Sequence, residues 1–230
     1  MQSSEGNGAE ISGLTAAAHE LKSPLVLIRQ LAFELETSDD AETRKLARRI
    51  RLSSEASLEL AGSLTIAENL HQLSFDFAPT NSQQVCAEVI KTLQPLFAEK
   101  NRKVYLRYRR KTPLVVANNL LFGRVIAQFM TNALDYSSEQ ASVEITTKLM
   151  KNNVVRTSVR DYGPMVSAGL LNSLHARKKQ IERRPSSSRL GLYISEQFAE
   201  YMHGSIGVTR HKNGASFYID VPVSRQLSLL

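Results

Sequence analysis

Residues 9–76 of this chain read as an α-helical hairpin that a second copy completes into a dimeric four-helix bundle, and residues 77–230 as a two-layer α/β sandwich with helices on one face of a mixed sheet. Three observations predict this architecture. From about Ala9 to Leu35, the residues Leu14, Ala18, Leu21, Leu25, Ile28, Ala32 and Leu35 recur at alternating spacings of four and three, which is the seam of a packed helix. Beyond Pro79 the pattern changes to helical stretches alternating with short runs of period two. Between them, Phe75-Asp76-Phe77-Ala78-Pro79-Thr80 reads as a short linker.

The elements follow in order. Thr37-Ser38-Asp39-Asp40 interrupts the first helix with capping residue types, and a second helix begins near Ala41, with Glu42 in its first turn, and runs through Leu46, Ile50, Leu60, Leu64 and Ala67 to about Leu73. Two such helices have too little apolar surface to stand alone, so a homodimer is expected. The second unit opens with a helix over 82–100, followed by a strand over 103–108, a short strand near Val115 and a helix over 119–135. Strands at 142–150 and 154–161, a helix at 190–202, and strands at 205–210 and 215–222 complete it.

Composition narrows the function classes. With 230 residues and 42% hydrophobic content the chain can bury one good core and a smaller helical module. No stretch approaches the roughly 18 apolar residues of a membrane span, and Met1 to Glu10 lacks the basic and apolar regions of a signal peptide, so a cytoplasmic location is expected. Cys86 is the only cysteine, which excludes an internal disulfide and a cysteine-rich zinc site. The net charge of +7 raises nucleic acid as a partner. Its distribution argues against direct nucleic-acid binding. One cluster (Lys100, Arg102, Lys103, Arg107, Arg109, Arg110, Lys111) lies on a strand-like segment where Val104, Leu106 and Tyr108 alternate with it, as on a solvated face, and the other (Arg177, Lys178, Lys179, Arg183, Arg184) lies in a polar stretch.

The most informative run is His19-Glu20-Leu21-Lys22-Ser23-Pro24-Leu25. A lone helical histidine is ordinarily only solvated. Here a carboxylate follows directly, able to hold one ring N–H and leave the other nitrogen as a nucleophile, while Pro24 removes a backbone donor one turn on and loosens the helix for a large partner. The run resembles the phospho-acceptor box of two-component sensor histidine kinases. The resemblance implies that His19 is phosphorylated, Glu20 acts as base, and Ser23 helps position water when the reaction runs as a phosphatase.

The second unit resembles the ATP-binding domain shared by histidine kinases, DNA gyrase, Hsp90 and MutL, and carries three strings that correspond to its motifs. Gln128-Phe129-Met130-Thr131-Asn132-Ala133-Leu134-Asp135-Tyr136-Ser137 resembles the asparagine box; residues 128 and 132 share a helix face on which amides can converge on magnesium and phosphates. Asp161-Tyr162-Gly163-Pro164 resembles the first glycine box, where a buried Asp accepts the adenine amine and glycine lets the backbone approach, although Met165 stands at its second glycine. Ser187-Ser188-Arg189-Leu190-Gly191-Leu192-Tyr193-Ile194 resembles the second, with only Gly191 of three glycines retained. His203-Gly204 and Gly214 resemble the terminal glycine pattern, His203 reading as structural.

The resemblance thus implies ATP and magnesium as cofactors, Gln128, Asn132, Tyr136, Asp161, Gly163, Arg189 and Gly191 as the nucleotide site with Asn132 toward the metal, and residues 170–188 as a lid whose cations meet the triphosphate. It also implies a response regulator receiver domain as partner. The replaced glycines keep a second reading open, a pseudokinase or histidine phosphotransferase that has lost ATP binding. A basic nucleic-acid adaptor rests on charge alone. The stretch before His19 is too short for a sensor domain, so the signal is expected from a partner, from oligomerisation or from a region outside this chain.

Overall fold

The computed structural model describes residues 5–107, 111–138, 141–163 and 189–225, and the chain divides into two compact units, residues 1–74 and 75–230. Unit one is the expected hairpin. Helix α1 spans Glu5–Leu35 and helix α2 Ala41–Glu68. Asp40 caps α2: its carboxylate accepts the Thr43 hydroxyl and, at 2.8 Å, the Thr43 N–H, which holds its pKa below the ordinary value, while Arg44 Nη1 closes the turn by donating to the carbonyls of Ser38 and Asp39, both at 2.8 Å. The second helix stops one turn earlier than the periodicity suggests. Asn69 ends it, its Nδ2 donating to the Thr65 carbonyl at 2.8 Å.

Helix α1 continues through Pro24, whose missing N–H leaves the Glu20 carbonyl without its helical donor. The seam closes only in part within one chain. Ala18 and Ala32 are buried and Leu25 is half-buried, but Leu21 is 57% exposed and Leu35 50% exposed. An open groove lined by Leu25, Ile28, Leu46, Arg49, Ile50 and Ser53 runs along the hairpin.

Unit two has a five-stranded sheet and helices packed on one face of it. Its elements are β1 (Ala78–Thr80), α3 (Ser82–Glu99), β2 (Val104–Arg107), β3 (Val115–Ala117), α4 (Asn119–Tyr136), β4 (Val143–Leu149), β5 (Val154–Arg160), α5 (Arg189–Tyr201), β6 (Ser205–His211) and β7 (Gly214–Pro222). The sheet order is β2-β4-β5-β7-β6, with β2 parallel to β4 and every other pair antiparallel. The expected linker is corrected in one respect: its last residues form β1, which pairs antiparallel with β3 in a separate two-stranded sheet. A three-residue strand is too short to show a period, which is why the sequence read only Pro79 there.

Asparagines start both α3 and α4. Asn81 accepts from the N–H groups of Gln83 and Gln84, and Asn118 from those of Leu120 and Leu121. The core lies between these helices and the sheet; Phe97, Phe122, Phe129 and Phe198 are fully buried, and Phe129 meets Phe217 of β7 with ring centroids 5.9 Å apart. Cys86 is buried in the same layer, its thiol pushed up to about 12 by that burial, which makes it inert. Replacing Phe129 by Ala removes the ring that joins α4 to the sheet and should cost about 3–5 kcal/mol in chemical denaturation of unit two, read as a lower midpoint at unchanged slope.

Candidate functional site

The alternation along β5 brings Asp161 to the helix side of the sheet, where it is fully buried. The ladder to β7 continues one rung beyond the strand: the Asp161 N–H donates to the Ala215 carbonyl at 2.9 Å, and the Ala215 N–H returns to the Asp161 side chain, Oδ1, at 3.0 Å. Oδ1 also accepts the Gly163 N–H at 3.2 Å. Two main-chain donors therefore fix the carboxylate.

The residues after Asp161 are bracketed by two other segments. On one side is the end of α4: Ser138 donates to the Tyr162 carbonyl from its N–H at 3.2 Å and from its hydroxyl at 2.9 Å, and a Cβ on Gly163 would lie 1.9 Å from the Tyr136 carbonyl oxygen. On the other is the β6–β7 turn. Gly214 has φ of +114°, and a Cβ there would lie 2.4 Å from the Asp161 carbonyl oxygen and 2.5 Å from Oδ1. Only glycine fits either position. The expected pairing of Asp161 with Gly163 is thus a real junction, and Gly214 belongs to it.

Helix α4 carries the amide-bearing face. Its inner stripe is buried against the sheet, while Gln128, Asn132 and Tyr136, four residues apart, lie half-buried beside it. Gln128 Nε2 donates to Asn132 Oδ1 at 3.1 Å. The extra methylene of Gln128 carries its amide across to α5, where a Cβ on Gly191 would meet its Cδ and Nε2 at 2.4 Å. A side chain at position 191 would therefore displace the Gln128 amide, the far end of a flexible side chain. Asp135 lies off this face and pairs with Lys100 at 2.6 Å, so its charge is matched outside the candidate site. His203 sits in a turn at φ of +57° with its ring 6.0 Å from that of Phe77, a structural placement as expected.

In the other unit, His19, Glu20 and Ser23 are all exposed on α1, next to the buried Ala18 and so beside the seam rather than in it. Lys22 of the same run reaches α2, donating to Thr65 Oγ1 at 3.3 Å. The expected lid with Arg177, Lys178, Lys179, Arg183 and Arg184, the positions Pro164, Met165, Ser187 and Ser188, and the basic Arg109 and Arg110 lie outside the described residues; Arg189 begins α5 and its side chain also lies outside them. Ala215, Ser138 and Arg160 were not singled out by sequence. No local pattern marks them, because their contacts are non-local: the β5–β7 register brings the β6–β7 turn to Arg160 and Asp161, and the end of α4 brings Ser138 to Tyr162.

Residues 117–225 match the family described as histidine kinase-, DNA gyrase B- and HSP90-like ATPase. The chain is 26% identical over 225 residues to the adaptive-response sensory kinase SasA of Synechocystis sp., covering 92% of this chain and 59% of that protein. It is 24% identical over 212 residues to the heme sensor protein HssS of Staphylococcus aureus, covering 89% of this chain and 45% of that one. Among solved structures, full-length ShkA in complex with AMPPNP superposes with a TM-score of 0.66 at 23% identity over 95% of this chain and 47% of that one. The Acinetobacter baumannii histidine kinase AdeS superposes with a TM-score of 0.60 at 18% identity over 90% and 98%. At these identities the structures show the fold alone. The chain spans 59% and 45% of the length of these two curated relatives. The resemblance to a histidine kinase catalytic core drawn from the motifs is borne out.

His211 provides a pH handle on this junction. Its Nε2 lies 2.9 Å from Ser216 Oγ, and burial, reinforced by the charge of Arg160 and opposed by that of Asp161, holds its pKa below the ordinary value. The unfolded chain therefore takes up the proton first as pH falls through about 6.5, and the folded state loses stability from there down to the depressed pKa. Denaturation midpoints of unit two should decline between about pH 7 and 5 more steeply in the wild type than in His211→Asn.

Proposed function

We propose that this chain is the catalytic core of a two-component sensor histidine kinase, with residues 9–76 as the dimerisation and phospho-acceptor unit and residues 77–230 as the ATP-binding unit. ATP donates its γ-phosphoryl group to His19, and the group then passes to an aspartate of a response regulator receiver domain. The observation that carries this reading is the buried Asp161 carboxylate, held by two main-chain N–H groups at a junction that only glycines can line. Such a carboxylate suits the exocyclic amine of adenine, and the bare backbone of Gly163 suits close approach of the ring, with Tyr136 at the border.

The donor set also fits a phosphate-bound cation. Among the described residues no group of three or more His, Cys, Asp or Glu is assembled to hold a metal, so magnesium would arrive complexed to ATP and be held at Asn132, with Gln128 orienting that amide. When bound, magnesium neutralises charge on the transferring phosphoryl group. At the acceptor, Glu20 serves as the base that takes the ring N–H proton of His19 while the other ring nitrogen forms the P–N bond, the bond from the γ-phosphorus to the β–γ bridging oxygen breaks and ADP leaves. Ser23, one turn on along the same face, positions water that hydrolyses the receiver's aspartyl phosphate, releasing the free aspartate and inorganic phosphate. Consumption of ATP makes the cytoplasm the expected compartment; among the described residues no helix is long and apolar enough to cross a membrane.

The exposed side of the hairpin seam supports a homodimer, since Leu21, Ile28, Leu35, Leu46 and Ile50 would otherwise remain in water. A second reading, a pseudokinase or histidine phosphotransferase, is favoured by the reach of Gln128 over Gly191 and by Met165, Ser187 and Arg189 in place of glycines.

Incubation with labelled ATP and magnesium should give acid-labile, base-stable label on the wild type and none on His19→Gln, whose circular dichroism should be unchanged because His19 is exposed. Label persisting on His19→Gln would identify a different acceptor. Light scattering at micromolar concentration should give twice the chain mass; a monomer would contradict the bundle.

A further inference from the structure

Arg160, the last residue of β5, is engaged on three sides. Its Nη1 donates to the Asp161 carbonyl at 2.6 Å; its Nη2 donates to the Asn213 carbonyl at 3.1 Å and to the Asn213 side-chain oxygen at 2.7 Å; and its guanidinium lies 4.5 Å from the centroid of the Tyr162 ring. Asn213 belongs to the β6–β7 turn and Asp161 to the end of β5, so one side chain ties together the two segments that set the Asp161 carboxylate. The spacing between them leaves no slack. A Cβ on Gly214 would meet Asp161 O, Asp161 Oδ1 and Gly163 N at 2.4, 2.5 and 2.9 Å, and the next residue of the turn, Ala215, donates to Oδ1. A shift of the turn therefore moves the donor that orients the carboxylate.

We infer that Arg160 is a positioning residue for base selectivity: by clamping the β6–β7 turn onto the Asp161 carbonyl it fixes the carboxylate in the orientation that accepts a purine amine and disfavours a purine carbonyl. This rests on the nucleotide reading above. The physical reason is that a site oriented to hydrogen-bond one group rejects the analogue lacking it, because buried polar groups are then left facing the wrong partner. Loosening the orientation lets the site accommodate either base, so discrimination falls along with affinity. The planar, multi-donor guanidinium is the one side chain that can hold three acceptors and stack on a ring together, which an ammonium cannot do.

The test is calorimetric titration of the intact chain with magnesium–ATP and magnesium–GTP, comparing wild type, Arg160→Met, Arg160→Lys and Asn213→Ala, with melting temperature measured in parallel. The wild type should prefer ATP. Arg160→Met should weaken ATP on the order of tenfold, the scale of one charge-assisted hydrogen bond, while changing GTP less, so that the ATP-to-GTP preference shrinks. Arg160→Lys should restore only part of it, and Asn213→Ala should shrink it less than Arg160→Met. Should Arg160→Met fail to fold, Asn213→Ala and Arg160→Lys decide the matter in the same way. Equal loss of ATP and GTP affinity in the folding variants, or a lower melting temperature with the preference intact, would overturn the assignment. A wild type that binds neither nucleotide would instead bring down the nucleotide reading and this inference with it.

Discussion

The junction at Asp161 is the constraint on which unit two depends. Three segments distant in sequence, the end of α4, the end of β5 and the β6–β7 turn, meet there at backbone contact distance, and two glycines, Gly163 and Gly214, make that meeting sterically possible. A side chain at either would force the segments apart by more than neighbouring atoms can absorb. The sheet order places β5 between β4 and β7, so a strand end, rather than a helix or a free loop, delivers the carboxylate to this point. Buried and held by main-chain N–H groups, Asp161 has an orientation fixed by the fold itself.

Unit one uses the opposite logic. The proposed acceptor His19 is exposed, while beside it the seam is buried at Ala18 and Ala32, whose small side chains allow close approach to α2. Pro24 leaves the Glu20 carbonyl, next to His19, without its helical donor. On the proposed function, a nucleophile that meets two large partners in turn, a nucleotide-loaded unit and a receiver domain, has to be accessible. A purine-binding carboxylate has to be sheltered.

The helices and the long strands were legible because each carries several periods of its pattern: α4 runs from an Asn cap through a buried stripe, and β5 alternates over seven residues. What failed was short or non-local. The strand Ala78–Thr80 has no room for a period, and the end of α2 at Glu68 is set by the Asn69 cap rather than by any loss of apolar spacing. Within the candidate site, Asp161, Gly163, Gln128 and Asn132 were legible through the resemblance of their strings to the family's motifs. Arg160, Ala215 and Ser138 were not, because their contacts join segments distant in sequence. Gln128 was read only as an amide sharing a helix face with Asn132, yet its side chain also reaches over Gly191.

The central claim is that Asp161 holds adenine in a site that survives the replaced glycines. Replacing glycine near Ser187 and Arg189 removes backbone approach to phosphate but leaves the adenine end intact, so binding should be weakened and not lost. The direct measurement is titration of the wild-type chain and of Asp161→Asn with ATP in the presence of magnesium. The account requires weak, saturable binding by the wild type that Asp161→Asn reduces sharply, since the amide presents a donor toward the adenine amine at one of its positions. Absence of binding at millimolar nucleotide, or equal binding by both proteins, would contradict it.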